Sequence, residues 1–372
     1  MKRFSLSFCI LLLISLACEG GSPAPPPTPK TSVFDSERTA YGFFPVPPEP
    51  KVESAFQLFE DIAKHGDFVL LQQATPWDEF KDNVEGNSKT RTDIINQVRL
   101  AQQNSLEYIF VLDPLNGLNR REFIGLPADW DANFANANVR SAHRNYALWV
   151  VRMFQPRYLG LASEINTYMD AHPQDAPNFI SLYNEIYTLV KAEAPNTQVF
   201  VTFQWEDLNN MFLQPEEKNR QRLQPNWEQI EAFEPNLDVW AISTYPYFVF
   251  PSVSEIPSDY YSLLVARTEK PVAVAEGGFT SIASAPIQST PEDQVAYLNI
   301  IHSQLGGGRL ALWVNLLLTD FNIEAMTQYM LANGQSPENL TTLGYFGSTG
   351  FQTLDRSPKP ALEVWDSFRK GK

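Results

Sequence analysis

The sequence predicts an α/β chain of the (β/α)8 barrel class, on three observations. Eight short apolar, β-like runs alternate with helical patterns along most of the chain. Polar or aromatic residues stand just past each run, where barrels carry their working groups. No tandem repeat and no second linker divides the region, so a single domain of this length is expected. An open, doubly wound sheet is the alternative, and the count of eight favours the barrel.

The elements follow in order. Tyr41-Gly42-Phe43-Phe44 reads as the first strand, with prolines at 45, 47, 48 and 50 in the loop after it. Val52 to His65 has helical spacing, with Phe56, Phe59 and Ile62 on one face. Asp67 to Gln73 is the second strand and Thr90 to Asn104 the next helix. Glu107 to Leu112 is the third strand, ending at Asp113. Ser141 to Phe154 is a helix stopped by Pro156, and Tyr158 to Ser163 the fourth strand. Asn178 to Glu193 is helical, and Gln198 to Gln204 is the fifth strand. A short helix over Trp227 to Phe233 precedes the sixth strand, Leu237 to Ser243. Asp259 to Arg267 is a helix, then Val272 to Ala275 is the seventh strand. Ser289-Thr290-Pro291 opens the helix that runs to Gln304, as an N-cap followed by a first-turn proline. Gly306-Gly307-Gly308 is the turn into the eighth strand, Leu310 to Val314. Pro360 to Arg369 is the closing helix.

The N-terminus reads as an address. Lys2 and Arg3 precede an apolar run, Phe8 to Ile14, too short to span a bilayer comfortably. That run leads to Leu16-Ala17-Cys18, which resembles a bacterial lipoprotein signal. The resemblance implies a signal over 1–17 and lipidation at Cys18, with the carrier exported and anchored to a bacterial membrane. An ordinary secretory peptide cut near Ala17 is the other reading. Residues 18–35, rich in Pro, Gly and Ser, read as a stalk, and 36–372 as the folded body. Cys9 and Cys18 are the only cysteines, so the body makes no disulfide.

Formal charge is −15, and two units more negative once Lys2 and Arg3 are removed. That argues against nucleic acid or an anionic surface as partner. All eight tryptophans lie in the body. They suit a carbohydrate partner or simply a large core. The four histidines show no ligand spacing, so no metal is expected. There is no Gly-x-Ser-x-Gly elbow, and the three glycines at 306–308 lack the Lys-Ser/Thr of a phosphate loop. No cofactor and no protein partner is called for.

Chemistry is concentrated in two glutamates. Glu164 closes the fourth apolar run and Glu276 the seventh, 112 positions apart. A carboxylate ends a buried strand when it is solvated, paired or catalytic. Singly, Glu164 also reads as a helix N-terminal carboxylate, and Glu276 as a turn residue before Gly277-Gly278. Together, on opposite sides of an eight-membered ring, they form the carboxyl pair that glycoside hydrolysis needs.

Glutamates at these two strand ends resemble the largest clan of retaining glycoside hydrolases, with the endo-β-1,4-galactanases among its members. Pro271 to Phe279 (PVAVAEGGF) resembles the clan's nucleophile segment, and Ala241 to Tyr247 (AISTYPY) the segment whose tyrosine bonds that nucleophile. Pro358-Lys359-Pro360-Ala361 also recurs there. The clan asparagine before the acid is Ser163 here, and Asn166 is the candidate substitute. The resemblance implies Glu164 as acid/base, Glu276 as nucleophile, and Trp77, Asn166, Trp205, Tyr245 and Trp313 as substrate-binding residues. For Trp313 the competing reading is core packing, and for Tyr245 a hydrogen-bonded loop residue. The implied activity is retaining hydrolysis of a β-linked polysaccharide or oligosaccharide. A catalytically weak, sugar-binding surface lipoprotein is the alternative. Asp113, Asp320 and Glu206 are the remaining strand-end carboxyls.

Overall fold

A computed structural model describes residues 32–35, 37–82, 88–212, 220–284 and 287–371. The expected signal (1–17), the Cys18 lipidation site and most of the expected stalk lie outside these residues. The folded body begins before position 36. Val33–Asp35 form a helical turn, and the buried Phe34 ring packs edge-on against Phe68 and Tyr158.

The barrel strands are β1 (Ala40–Phe43), β2 (Phe68–Ala74), β3 (Glu107–Asp113) and β4 (Tyr158–Gly160). Then come β5 (Gln198–Phe200 and Thr202–Gln204, interrupted at Val201), β6 (Trp240–Thr244), β7 (Val272–Gly277) and β8 (Leu310–Asn315). Every neighbouring pair is parallel. The order runs from Gln198–Phe200 through β4, β3, β2, β1, β8, β7 and β6 to Thr202–Gln204. Both ends belong to β5, so the ring closes through that strand. Strands covered on both faces need near-continuous apolar sequence, and these have it. The expected barrel is therefore present.

Helices α1 (Val52–His65), α2 (Lys89–Gln103), α3 (Ala137–Phe154) and α4 (Ala176–Glu193) follow the first four strands. α5 (Trp227–Glu231), α6 (Ser262–Arg267), α7 (Pro291–Leu305) and α8 (Pro360–Arg369) follow the rest. The start of α7 is as the sequence predicts. The Thr290 side chain accepts from the Asp293 N–H, Asp293 accepts from the Thr290 N–H, and Pro291 fills the first turn. Beyond the core of the barrel, Trp313, Trp365, Tyr41 and Phe43 pack together between β1, β8 and α8.

Some elements depart from expectation. β6 begins at Trp240, just past Asp238, whose carboxylate accepts from the Val199 N–H and the Tyr187 hydroxyl. Leu161 to Ser163 leave the β4 ladder. A hairpin, Leu115–Asn116 with Asn119–Phe123, follows β3. It turns on Gly117-Leu118, with the glycine first in the two-residue loop. Ile165–Ala171, Trp205–Leu208 and Ile323–Ala332 are helices in the loops after β4, β5 and β8. Among the described residues no helix is long and apolar enough to cross a membrane.

Candidate active site

β4 ends by placing Glu164 in the left-handed region, at φ 51° and ψ 43°. A non-glycine residue holds that conformation only when its surroundings fix it. Here the Glu164 N–H donates to Thr202 Oγ1 at 2.8 Å, and Ser163 Oγ pairs with the same hydroxyl at 3.1 Å. The serine in place of the clan asparagine thus ties β4 to β5.

The Glu164 carboxyl receives two donors. Ser243 Oγ donates to Oε1, and Arg120 Nε donates to Oε2 at 3.0 Å. Arg120 comes from the hairpin after β3 and also donates through Nη1 to Asp113 Oδ2. Asp113 in turn accepts from Gln72 Nε2 at 2.6 Å and from the Leu115 N–H at 3.1 Å. Arg120 and Glu164 are wholly excluded from solvent.

β7 delivers the second carboxyl. Its ladder with β6 shifts register between Val274 and Glu276, which sets Glu276 opposite Ser243. An extra residue of this kind re-aims a side chain at a strand end. Tyr245, two residues past Ser243, donates its hydroxyl to Glu276 Oε1 at 2.8 Å. Gly277 allows the close packing that follows, since a Cβ there would lie 3.0 Å from the Thr244 carbonyl oxygen. Ser243 is therefore the meeting point. It faces Glu276 in the ladder and donates to Glu164, so the strand-four and strand-seven carboxyls converge.

Burial pushes Glu164 up to about 7, against the pull of Arg120 and Ser243. Burial raises Glu276 well above the usual carboxylate range, the charge of Glu164 adds to this, and Arg120 and Tyr245 oppose it. Desolvation and their mutual charge both disfavour ionising the two carboxyls together.

Behind them lies a third carboxyl. Glu206, buried and pushed up to about 7 by burial, accepts from Gln204 Nε2 at 2.6 Å, Thr244 Oγ1 at 2.5 Å and the Tyr245 N–H at 3.1 Å. It braces the end of β6 rather than joining the pair. Asp320 is held by Lys359 Nζ at 2.7 Å, and that lysine also donates to Ser281 and Gly350. It is a clamp between loops.

The other sequence candidates fall elsewhere. Trp313 is a correction: it is buried among Tyr41, Trp365 and Phe368, in the helix layer, and so presents no face to a sugar. Trp205 is likewise enclosed by Trp227, Tyr260 and Tyr261. Trp77 is buried, with its Nε1 donating to the Ile124 carbonyl at 2.7 Å. Asn166 cannot stand in for the clan asparagine, because its amide donates to the Gln204 carbonyl at 3.1 Å and accepts from the Gln204 N–H at 2.8 Å. Phe248 and Tyr345 are half-buried aromatic rings, with Phe248 packed on Tyr245 and on Tyr345. Arg120 was the residue missed. Gly117, first in the two-residue loop between Asn116 and Asn119, is the local turn signal near it.

No group of His, Cys, Asp or Glu among the described residues could hold a metal ion. His143 is a neutral strut. Its Nε2 donates to the Leu161 carbonyl, its Nδ1 accepts from Thr75, and burial lowers it to about 4. A groove of about 840 Å³ lies at the far end of the barrel, bordered by Val33, Asp67, Glu107, Arg157 and Arg369, away from the carboxyls.

No protein-family model matches the chain, and no curated protein matches it by sequence. Solved structures do. An exo-β-1,4-mannosidase, Op5Man5 of Opitutaceae bacterium strain TAV5, superposes with a TM-score of 0.66 at 13% identity, over 90% of this chain and 59% of that one. A GH5_18 protein of Bifidobacterium longum subsp. longum gives 0.63 at 13%, over 90% and 79%. A fungal β-1,4-galactanase gives 0.55 at 15%, over 88% and 94%. The chain spans 59% of the mannosidase and 50% of an uncultured Clostridium sp. β-glucuronidase that also matches. At such identities the likeness establishes the fold, one shared with several glycoside hydrolases.

Proposed function

We propose that this protein is a retaining glycoside hydrolase acting on a β-linked polysaccharide or oligosaccharide. The observation that carries this reading is the convergence of Glu164 and Glu276 at Ser243, with the Tyr245 hydroxyl on Glu276 Oε1. The names of its structural neighbours point the same way. They include a β-1,4-mannosidase, β-1,4-galactanases and a GH5_18 variant bound to Manβ1-4GlcNAc. A β-1,4-linked hexose is the substrate class they suggest.

In this reading Glu276 attacks the anomeric carbon while Glu164 passes a proton to the leaving oxygen. Water then gives a proton to Glu164 and its oxygen displaces Glu276, so the configuration is retained. Tyr245 holds the nucleophile at one oxygen, leaving the other for attack. Phe248 and Tyr345 supply apolar faces for the C–H surface of a sugar. The protein is exported, with lipid on Cys18 as its anchor.

A second reading has specific support. Glu164 is wholly buried and ion-paired to Arg120, which disfavours the acid form. A sugar-binding barrel without turnover fits that observation.

The test is hydrolysis of a panel of β-linked glycans, galactan and mannan included, by the chain lacking residues 1–31. Glu164→Gln and Glu276→Gln run beside it, with the anomer of the product followed by NMR. Retention of configuration, and loss of at least about 10³-fold in rate in either variant, is expected for residues that act as a unit. Glycan binding that survives both changes, without cleavage, selects the second reading.

A further inference from the structure

We propose that Arg120 is a positioning residue that keeps Glu164 as the carboxylate in the resting site, so that the proton shared by the two glutamates lies on Glu276. The proposal rests on reading Glu164 and Glu276 as a working pair, and concerns how that pair is armed.

The donors decide it. Both Glu164 oxygens accept, one from Ser243 Oγ and one from Arg120 Nε. A serine hydroxyl can reverse and accept a proton, but a guanidinium only donates and stays charged. Arg120 is therefore what fixes Glu164 as an anion. Glu276 has one neutral donor, Tyr245, on Oε1, and its Oε2 has no hydrogen-bond partner among the described residues. A proton on Oε2 breaks no hydrogen bond.

The charges agree. The groups facing the pair are Asp113 at the end of β3, Arg120 on the hairpin, and Ser243 and Tyr245 on β6, with Glu206 behind from the loop after β5. One guanidinium stands against Asp113 and two glutamates in a dry site. The two glutamates cannot both hold their charge there beside a single cation. Arg120 bonds Asp113 and Glu164 directly, which leaves Glu276 as the member that keeps the proton.

This arrangement arms both residues in one transfer. On transfer of that proton, the O–H bond on Glu276 breaks and an O–H bond forms on Glu164. Glu164 becomes the acid and Glu276 the carboxylate nucleophile, with no change in total charge.

Neutron diffraction from deuterium-exchanged crystals of the full chain near neutral pH tests this without any turnover. Deuterium on Glu276 Oε2, with none on Glu164, is the expected result. Deuterium on Glu164, or on neither glutamate, overturns the proposal. In Arg120→Met the deuterium is expected to shift to Glu164, and in Arg120→Lys to stay on Glu276. A deuterium that stays on Glu276 in Arg120→Met removes the role of Arg120. If Arg120→Met does not fold, the unaltered chain still decides where the proton rests. Failure to cleave any glycan sinks the functional reading and leaves this result standing.

Discussion

At the scale of the residue, polar side chains near the barrel mouth divide by what their partners leave free. Asn166 spends its amide on the Gln204 backbone, and Glu206 spends its carboxyl on three donors. Such groups fix geometry and have nothing left for a ligand. Glu276 keeps an oxygen without a partner among the described residues. In a buried site that is the signature of a group held ready rather than used up. Trp313 shows the opposite case. Its enclosure by Tyr41, Trp365 and Phe368 makes it a structural residue. Trp313→Ala is expected to cost about 3–5 kcal/mol of stability through lost burial and an unfilled cavity, measured by urea unfolding. Trp313→Phe is expected to leave glycan binding unchanged. A large loss of binding with full stability would return Trp313 to the mouth.

At the scale of the element, most boundaries follow local rules that the sequence displays. The start of α7 is the clearest, since Thr290, Pro291 and Asp293 each meet a need of the first turn. Thr290→Ala removes the acceptor for the Asp293 N–H. It is expected to cost about 1 kcal/mol, within the range for lost caps, read as a lower denaturant midpoint with an unchanged slope. No change would mean that packing of α7 on α8 alone sets its start. The hairpin after β3 is the element with most consequence for chemistry, because it brings a cation, Arg120, to Glu164. Its strands are two and five residues long, and one of them carries consecutive charges, Arg120 and Arg121. Neither has an apolar alternation that marks a strand, so the glycine-first turn at Gly117-Leu118 is the local signal left.

At the scale of the whole molecule, buried ionisable groups tie stability to pH. Burial raises Glu206 to about 7 and Asp320 to about 6, and it raises Glu276 well above the usual carboxylate range. The folded chain therefore binds protons that the unfolded chain has already released. The stability these groups contribute is present at low pH and is lost as pH rises through their folded values. His143 acts oppositely, since it is neutral when buried down to about 4 and its unfolded form takes a proton below 6.5. As pH rises past 6.5 the opposing contribution of the histidine fades, and the raised carboxyls outweigh it. The thermal midpoint is expected to fall from about pH 6.5 to pH 8. A midpoint that rises across that window would mean these carboxyls are ionised in the folded state. The molecule also has a polarity. Val33 N–H donates to Glu107 at the start of β3, and Phe34 packs on the starts of β2 and β4, at the end opposite the glutamates.

The sequence by itself determined the barrel, the order of its strands, and the positions of Glu164, Glu276 and Tyr245 at strand ends. Each depends on apolar period, chain order and cap chemistry, which are local properties of the chain. Tertiary structure decided which way side chains near those ends face. Trp313 turns into packing in a strand whose register with β7 shifts just before it, and such a shift moves a side chain to the other face. Trp205 and Asn166 lie on short helices after their strands, where the helical turn sets their direction. It also decided that Arg120 lies against Glu164, 44 positions away in sequence. A buried ion pair of that separation follows from how the loops fold over the mouth, and desolvation, which sets the protonation of both glutamates, exists only once they have done so.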